Sequence, residues 1–267
     1  MREKIKLLVA TDLIFLLLLM LSGAFSGVLS TVIYVLAFII PIVFAVFASK
    51  MNVKTADGVF PPRNLDIAVA GVFPTVMSVM VISECVAYLM GIFGKSQTVP
   101  LGDDILVALL LHALLPAVLE ETLFRYIPLR LLAGENGRAC VIVSALFFAL
   151  SHHSLYSIPY ALVAGIAFMT LDIISGSVIP SLVIHLLNNI LSVLLMFYSE
   201  NTLLASVLPT AVAILACASL LYLLAIRRRV RGIVSERFSK KEKYRLSWEP
   251  LLLVIPTLII AVTEVFN

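Results

Sequence analysis

An all-α polytopic transmembrane bundle of about eight to nine spans is expected of this chain, for three reasons. Apolar residues make up 61% of its 267 positions and charged residues only 13%. The mean hydropathy is +1.11, far from the profile of a soluble globular domain. Apolar stretches of about 20 residues, the length that crosses the hydrocarbon core as a helix, recur from end to end and leave no room for a sizeable soluble domain. Residues 1–267 therefore read as a single membrane-embedded domain.

The candidate spans follow in order. Residues 5–24 come after a basic start, MREKIK, that resembles a signal-peptide n-region. With no convincing small-residue cleavage site and another span directly behind it, this stretch reads as a membrane helix. The next apolar stretches are 27–49, 67–94 and 105–132, the last holding the charged cluster treated below. Spans at 139–155 and 158–174 lead to a turn at Ser175-Gly-Ser177, which starts the helix of 178–198; Pro180 lies in its first turn, where it costs no hydrogen bond. Residues 202–226 and 250–266 bring the count to nine, the last an extra C-terminal helix beyond a basic cytoplasmic segment at 227–249.

Loop charges orient the bundle, because short loops rich in Lys and Arg stay cytoplasmic. Arg2, Lys4 and Lys6 put the N-terminus inside. Counting crossings from there, Lys50, Lys54 and Arg63, the turn near Arg130 and Arg138, and RRRVRGIVSERFSKKEKYR all fall inside. Asp103, Asp104 and Glu200 fall outside, and the C-terminus with them. The compact loops point to the plasma membrane of a prokaryote. Cys85, Cys140 and Cys217 are far apart within apolar spans and read as small packing residues. The basic run reads as a topology determinant lying near anionic membrane lipid; no fold signature for nucleic acid accompanies it.

The chemistry is concentrated where a bilayer helix has least use for charge. Glu120, Glu121 and Arg125 sit within LLLHALLPAVLEETLFRYIPLRLL. An ionisable side chain at the centre of a spanning helix costs roughly 2.5–3.5 kcal/mol on insertion scales, so three together need a functional reason. Successive helical residues are turned by about 100°, which separates the jobs of the two acids. Glu121 and Arg125 are spaced i, i+4 with the acid on the N-terminal side, the favourable order for an ion pair. Glu120 meets Phe124 one turn on and has no in-helix cation; burial away from water makes such a carboxylate a better base. Pro116, one turn earlier, frees the His112 carbonyl and can bend the helix to admit water.

Two further patterns follow. Phe148-x3-His152 places an imidazole one turn after an aromatic ring, with His153 as the adjacent competitor. A histidine can share with a carboxylate the work of activating a water. His185 and Asn189 share one helix face at i, i+4, as two donors aimed at one oxygen must. Each pattern alone has a plainer structural use: a charge network locking helices, an interfacial histidine, an interhelical hydrogen bond.

Taken together, Glu120-Glu121-x3-Arg125, Phe148-x3-His152 and His185-x3-Asn189 resemble the three ordered motifs of the CAAX-protease and bacteriocin-processing family of intramembrane glutamic endopeptidases. The Ser175-Gly-Ser177 turn, Pro180 and the Asn188-Asn189 pair resemble the usual context of the third motif, and the likeness covers about 100–198, the expected catalytic core. It implies that Glu120 and His152 activate a water, that His185 and Asn189 form the oxyanion hole, and that Glu121 and Arg125 hold the site. The implied reaction is hydrolysis of a peptide bond in a membrane-associated protein or peptide, lipidated or not, with no cofactor and no metal. Tyr126 stands where the family commonly has glycine, which bears on how closely another helix packs there.

Three other readings compete. Two histidines and a carboxylate could bind zinc in a metal-dependent hydrolase, although no HExxH is present. The same fold could serve as a non-catalytic bacteriocin-immunity or scaffold protein. Asp12, Glu84 and Asp172, further acids in or near spans, would suit a transporter, but no repeated halves are seen. One geometric demand is common to the enzyme readings. Straight helices leave Glu120 in the half of the bilayer nearer the basic side and His152 toward the other. They meet only if 139–152 is a short helix that does not cross, or if the 105–132 helix is tilted or broken at Pro116.

Overall fold

The computed structural model describes residues 1–51, 63–92, 102, 104–134 and 136–238. The expected span at 250–266, the basic residues beyond 238, Lys54 and Asp103 lie outside the described residues.

Among the described residues the fold is all helix. The elements are α1 (Arg2–Gly23), α2 (Gly27–Ser49), α3 (Leu65–Ile92), α4 (Ile105–Leu132), α5 (Gly137–Leu150), α6 (Ile158–Ser175), α7 (Ile179–Phe197), α8 (Thr202–Ala225) and α9 (Arg227–Phe238). Seven of them, all but α5 and α9, are long and apolar enough to cross a membrane. The boundaries follow local chemistry. Asp104 caps α4 by accepting from the Leu106 amide at 2.8 Å, and Asn201 caps α8 by accepting from Leu204 at 3.0 Å. Gly176 ends α6 in the left-handed conformation at φ 70°, and Pro180 opens α7.

The stretch 139–155 is not a full span. Its helix, α5, ends at Leu150 and rises about 21 Å, short of the roughly 30 Å hydrocarbon core. The stop is local: the Ser151 hydroxyl bonds back to the Phe148 carbonyl at 2.7 Å, and His153 turns the chain with φ 51°. The apolar run itself ends at Leu150, before Ser151-His152-His153-Ser154, so the expected span at 139–155 ran past the true end of the helix.

The basic segments gather at one end. Arg229 of α9 pairs with Asp66 at the start of α3, at 2.6 and 3.1 Å, and Tyr222 of α8 donates to the same carboxylate at 2.9 Å. The Arg63 amide donates to the Ser175 carbonyl at 2.7 Å, and the Arg237 carbonyl lies against Gly137. The start of α3, the start of α5, the end of α6 and α9 therefore share one end. Leaving α5 as a short helix changes none of the crossing parity, because α5 and α6 still go out and return together.

α1 and α2 form a hairpin in which Phe38 packs on Phe15 and Phe15 packs on Phe124 of α4; α3 packs on α6, α7 and α8, and α5 lies along α6. The α5–α6 contact is close: a Cβ on Gly165 would stand 2.8 Å from the Ala145 Cα. Backbone cannot retreat as a flexible side chain can. Gly165→Ala is therefore expected to cost about 1–3 kcal/mol of stability. Gly23→Ala, with nothing within 4 Å, is expected to change little. Unfolding of both variants in mixed micelles checks the contrast.

Candidate active site

The site begins with α4, which is not a regular helix. Two π-helical turns, Leu110–Leu114 and Thr122–Tyr126, interrupt it on either side of Pro116 and the glutamates. Proline at 116 cannot donate to a carbonyl one turn back, which fits the widened turn directly before it. The second turn contains Arg125, and π turns of this kind reset the direction in which the following side chains point. Tyr126, at the end of that turn, is half-buried against the core, and α2 and α5 both pack on this part of α4.

Arg125 is completely buried, and among the described residues only Nη1 of its guanidinium makes hydrogen bonds. It lies over the Phe148 ring at 4.2 Å and the Phe168 ring at 5.3 Å. Its Nη1 donates to the Phe124 carbonyl at 3.2 Å and to the Ser144 hydroxyl at 3.3 Å. Its Nε faces Glu121 Oε2 at 3.5 Å. The pair read from i, i+4 spacing is present, and it is carried by α5 and α6 as much as by α4.

Glu121, also buried, turns its other oxygen to α7. Oε1 accepts from His185 Nδ1 at 2.7 Å. That contact assigns the His185 tautomer: Nδ1 carries a proton toward the carboxylate, so any second ring proton sits on Nε2. His185 Nε2 faces Glu120 Oε2 at 3.8 Å. Glu120 Oε2 is buried and has no hydrogen-bond partner among the described residues. Two polar atoms at that separation can both reach one water at ordinary hydrogen-bond lengths. Tyr34 of α2 and Tyr160 of α6 are close enough to Glu120 to feel its charge; neither position carried a signal in the sequence.

His152 follows α5 and is half-buried. Its Nδ1 donates to the Phe148 carbonyl at 2.8 Å, which leaves the Nε2 lone pair free to accept. Its ring packs edge-on to Phe148 at 4.9 Å, and the other edge of Phe148 meets His185 at 5.6 Å. Phe148 thus ties both histidines to Arg125. Glu120 and His152 share no direct hydrogen bond; the ionisable group that Glu120 meets is His185. The depths do converge, since Glu120 lies about 18 Å before the end of α4 and α5 rises about 21 Å from the same end.

A cavity of about 700 Å³ adjoins this cluster, lined at its inner part by Phe148, His152, Tyr160, His185 and Asn189. His153 is not on its wall, which separates the two adjacent histidines. Asn189 stands one turn beyond His185 on the same face, as the spacing required. The cavity extends along α7 as far as Met196 and along α3 from Val79 to Gly91, away from the basic end. Among the described residues no group of three or more His, Cys, Asp or Glu is arranged to hold a metal ion.

Asp172 supports the site from behind. Its Oδ1 accepts from the Ser181 amide in the first turn of α7 at 3.1 Å, capping the helix that carries His185. Asp12 is buried in α1 with no hydrogen-bond partner for either oxygen among the described residues. Neither lies on the cavity wall.

The ring contacts of Arg125 need a flat cation, which lysine does not supply. Arg125→Lys is expected to fold and to lose about 2 kcal/mol or more of stability, measured by unfolding in mixed micelles.

No curated protein and no solved structure gives a significant match to the chain. Residues 102–191 do match a family model, described as Type II CAAX prenyl endopeptidase Rce1-like. That stretch holds all three motifs and the α4, α5 and α7 side chains of the cluster, so residues 102–191 of this all-α membrane protein are similar to the CAAX-protease family.

Proposed function

We propose that the protein is an intramembrane endopeptidase that hydrolyses a peptide bond of a membrane-associated protein or peptide with a water activated by Glu120. The observation that carries this reading is the division of labour between neighbours: Glu121 is taken up by Arg125 and His185, while Glu120 keeps a buried oxygen free 3.8 Å from His185 Nε2.

The reaction follows from those positions. Glu120 takes a proton from the water, and the water oxygen forms a bond to the carbonyl carbon of the substrate. His152 Nε2, unprotonated, accepts from the water and orients it. The carbonyl oxygen becomes an oxyanion and accepts from the Asn189 amide and from the Nε2–H of His185 in its imidazolium form, whose Nδ1–H is held by Glu121. Collapse breaks the C–N bond, and the proton held by Glu120 passes to the departing amine. Water and peptide become an acid and an amine, with no covalent enzyme intermediate and no redox change. Glu121 and Arg125 are positioning residues: Glu121 holds the Nδ1 proton of His185 and fixes the ring, so that in the imidazolium form the Nε2 proton points at the substrate.

The family match supports a protease of the CAAX type; the glutamate mechanism, the roles of individual residues and the substrate are the finer part of the proposal. We place the N-terminus and the basic end on the cytoplasmic side of a prokaryotic plasma membrane, since short basic loops are retained there.

Glu120→Gln preserves shape and removes the base. In purified form it is expected to lose about 10²–10⁴-fold in peptide hydrolysis, with melting close to that of the parent. A Glu120→Gln protein that cleaves at the parent rate rules the mechanism out. Immunity or partner function that survives intact in the same variant would instead favour a binding role.

A further inference from the structure

Glu84 is an acid that the proposed chemistry does not use. It lies on α3, about 29 Å from the basic end of that helix, and is exposed. It forms no ion pair or hydrogen bond among the described residues, although an ionisable side chain inside a spanning helix is costly unless it faces water or a partner. It does face something: Glu84 lines the same cavity as His152, His185 and Asn189 and is the one carboxylate on that wall among the described residues.

The surroundings of Glu84 leave room for a chain. On α3 the neighbouring wall positions are Ser83, Ala87 and Gly91, all small, and α6 presents Ala161 and Ala164. On α7 the wall continues past Asn189 to Ser192, a further polar group along the cavity. The result is a passage running from the catalytic level toward the end of the bundle away from the basic segments, with negative charge on one side and hydrogen-bonding groups on the other.

Resting on the endopeptidase reading, we propose that Glu84 forms a substrate subsite that selects a cationic side chain, Lys or Arg, in the peptide segment lying in this cavity. The other cavity groups within the spans are neutral or basic side chains, including His112, His152 and His185, so a second positive group on the substrate is steered to Glu84 alone.

The test measures binding, so it does not depend on turnover. Purified full-length protein, with Glu84 intact or as Glu84→Gln or Glu84→Lys, is reconstituted in nanodiscs and offered an equimolar library of short peptides bearing Lys, Gln or Glu at each position. Each form is also prepared with Glu120→Gln. Bound peptides are identified by mass spectrometry. The expected result is enrichment of Lys peptides over their Glu counterparts by about tenfold at one position, collapse of that ratio toward one in Glu84→Gln, and reversal in Glu84→Lys. The same enrichment in all three forms, or none in the parent, overturns the subsite. Loss of cleavage is read separately: charge selection that persists in Glu120→Gln supports the subsite whatever becomes of the catalytic proposal.

Discussion

The buried guanidinium of Arg125 is the constraint on which the rest of the site depends. A cation with no exposure inside a membrane bundle must be matched on all sides, because the alternative is an uncompensated charge in a medium of low polarity. Phe148 and Phe168 cover its faces, Phe124 and Ser144 take its protons, and Glu121 supplies the opposite charge. Those residues come from α4, α5 and α6, and Glu121 passes the connection to α7 through His185. The three motifs are thus one electrostatic unit. The groups that Arg125 does not engage, Glu120, His152 Nε2, His185 Nε2 and Asn189, are those to which the proposed mechanism gives the chemistry.

Irregular helices make this convergence possible. α5 stops at Leu150, so His152 is delivered to the depth of the glutamates instead of the far side of the bundle. The π turns of α4 flank the glutamates and let Glu120, Glu121 and Arg125 address three different neighbours within two turns. Departures from regular helix carry a cost, and their placement at the charged cluster is where a folded protein accepts such cost.

Much of this was legible in the sequence, for stated reasons. Apolar length located α2 at 27–49 and α4 at 105–132 with the same bounds that the structure has. Helical spacing paired Glu121 with Arg125 and put His185 and Asn189 on one face, because both are contacts within one helix. The contact between Glu121 and His185 was not legible: it joins positions 64 residues apart, and no local pattern encodes it. The end of α5 was missed by a few residues: the apolar run stops at Leu150, where the Ser151 hydroxyl and the left-handed His153 turn the chain. Tyr34 and Tyr160 near Glu120 belong to the same class, tertiary neighbours with ordinary local sequence.

The central claim is that Glu121 and Arg125 exist for each other, leaving Glu120 free. A double-mutant cycle on unfolding free energy, using Glu121→Gln, Arg125→Met and the two combined, tests it directly. Each single variant strands a buried charge and is expected to lose about 3–5 kcal/mol. The combined variant strands neither, so it is expected to lose less than the sum of the two, by more than about 1 kcal/mol. Losses that simply add would contradict the account.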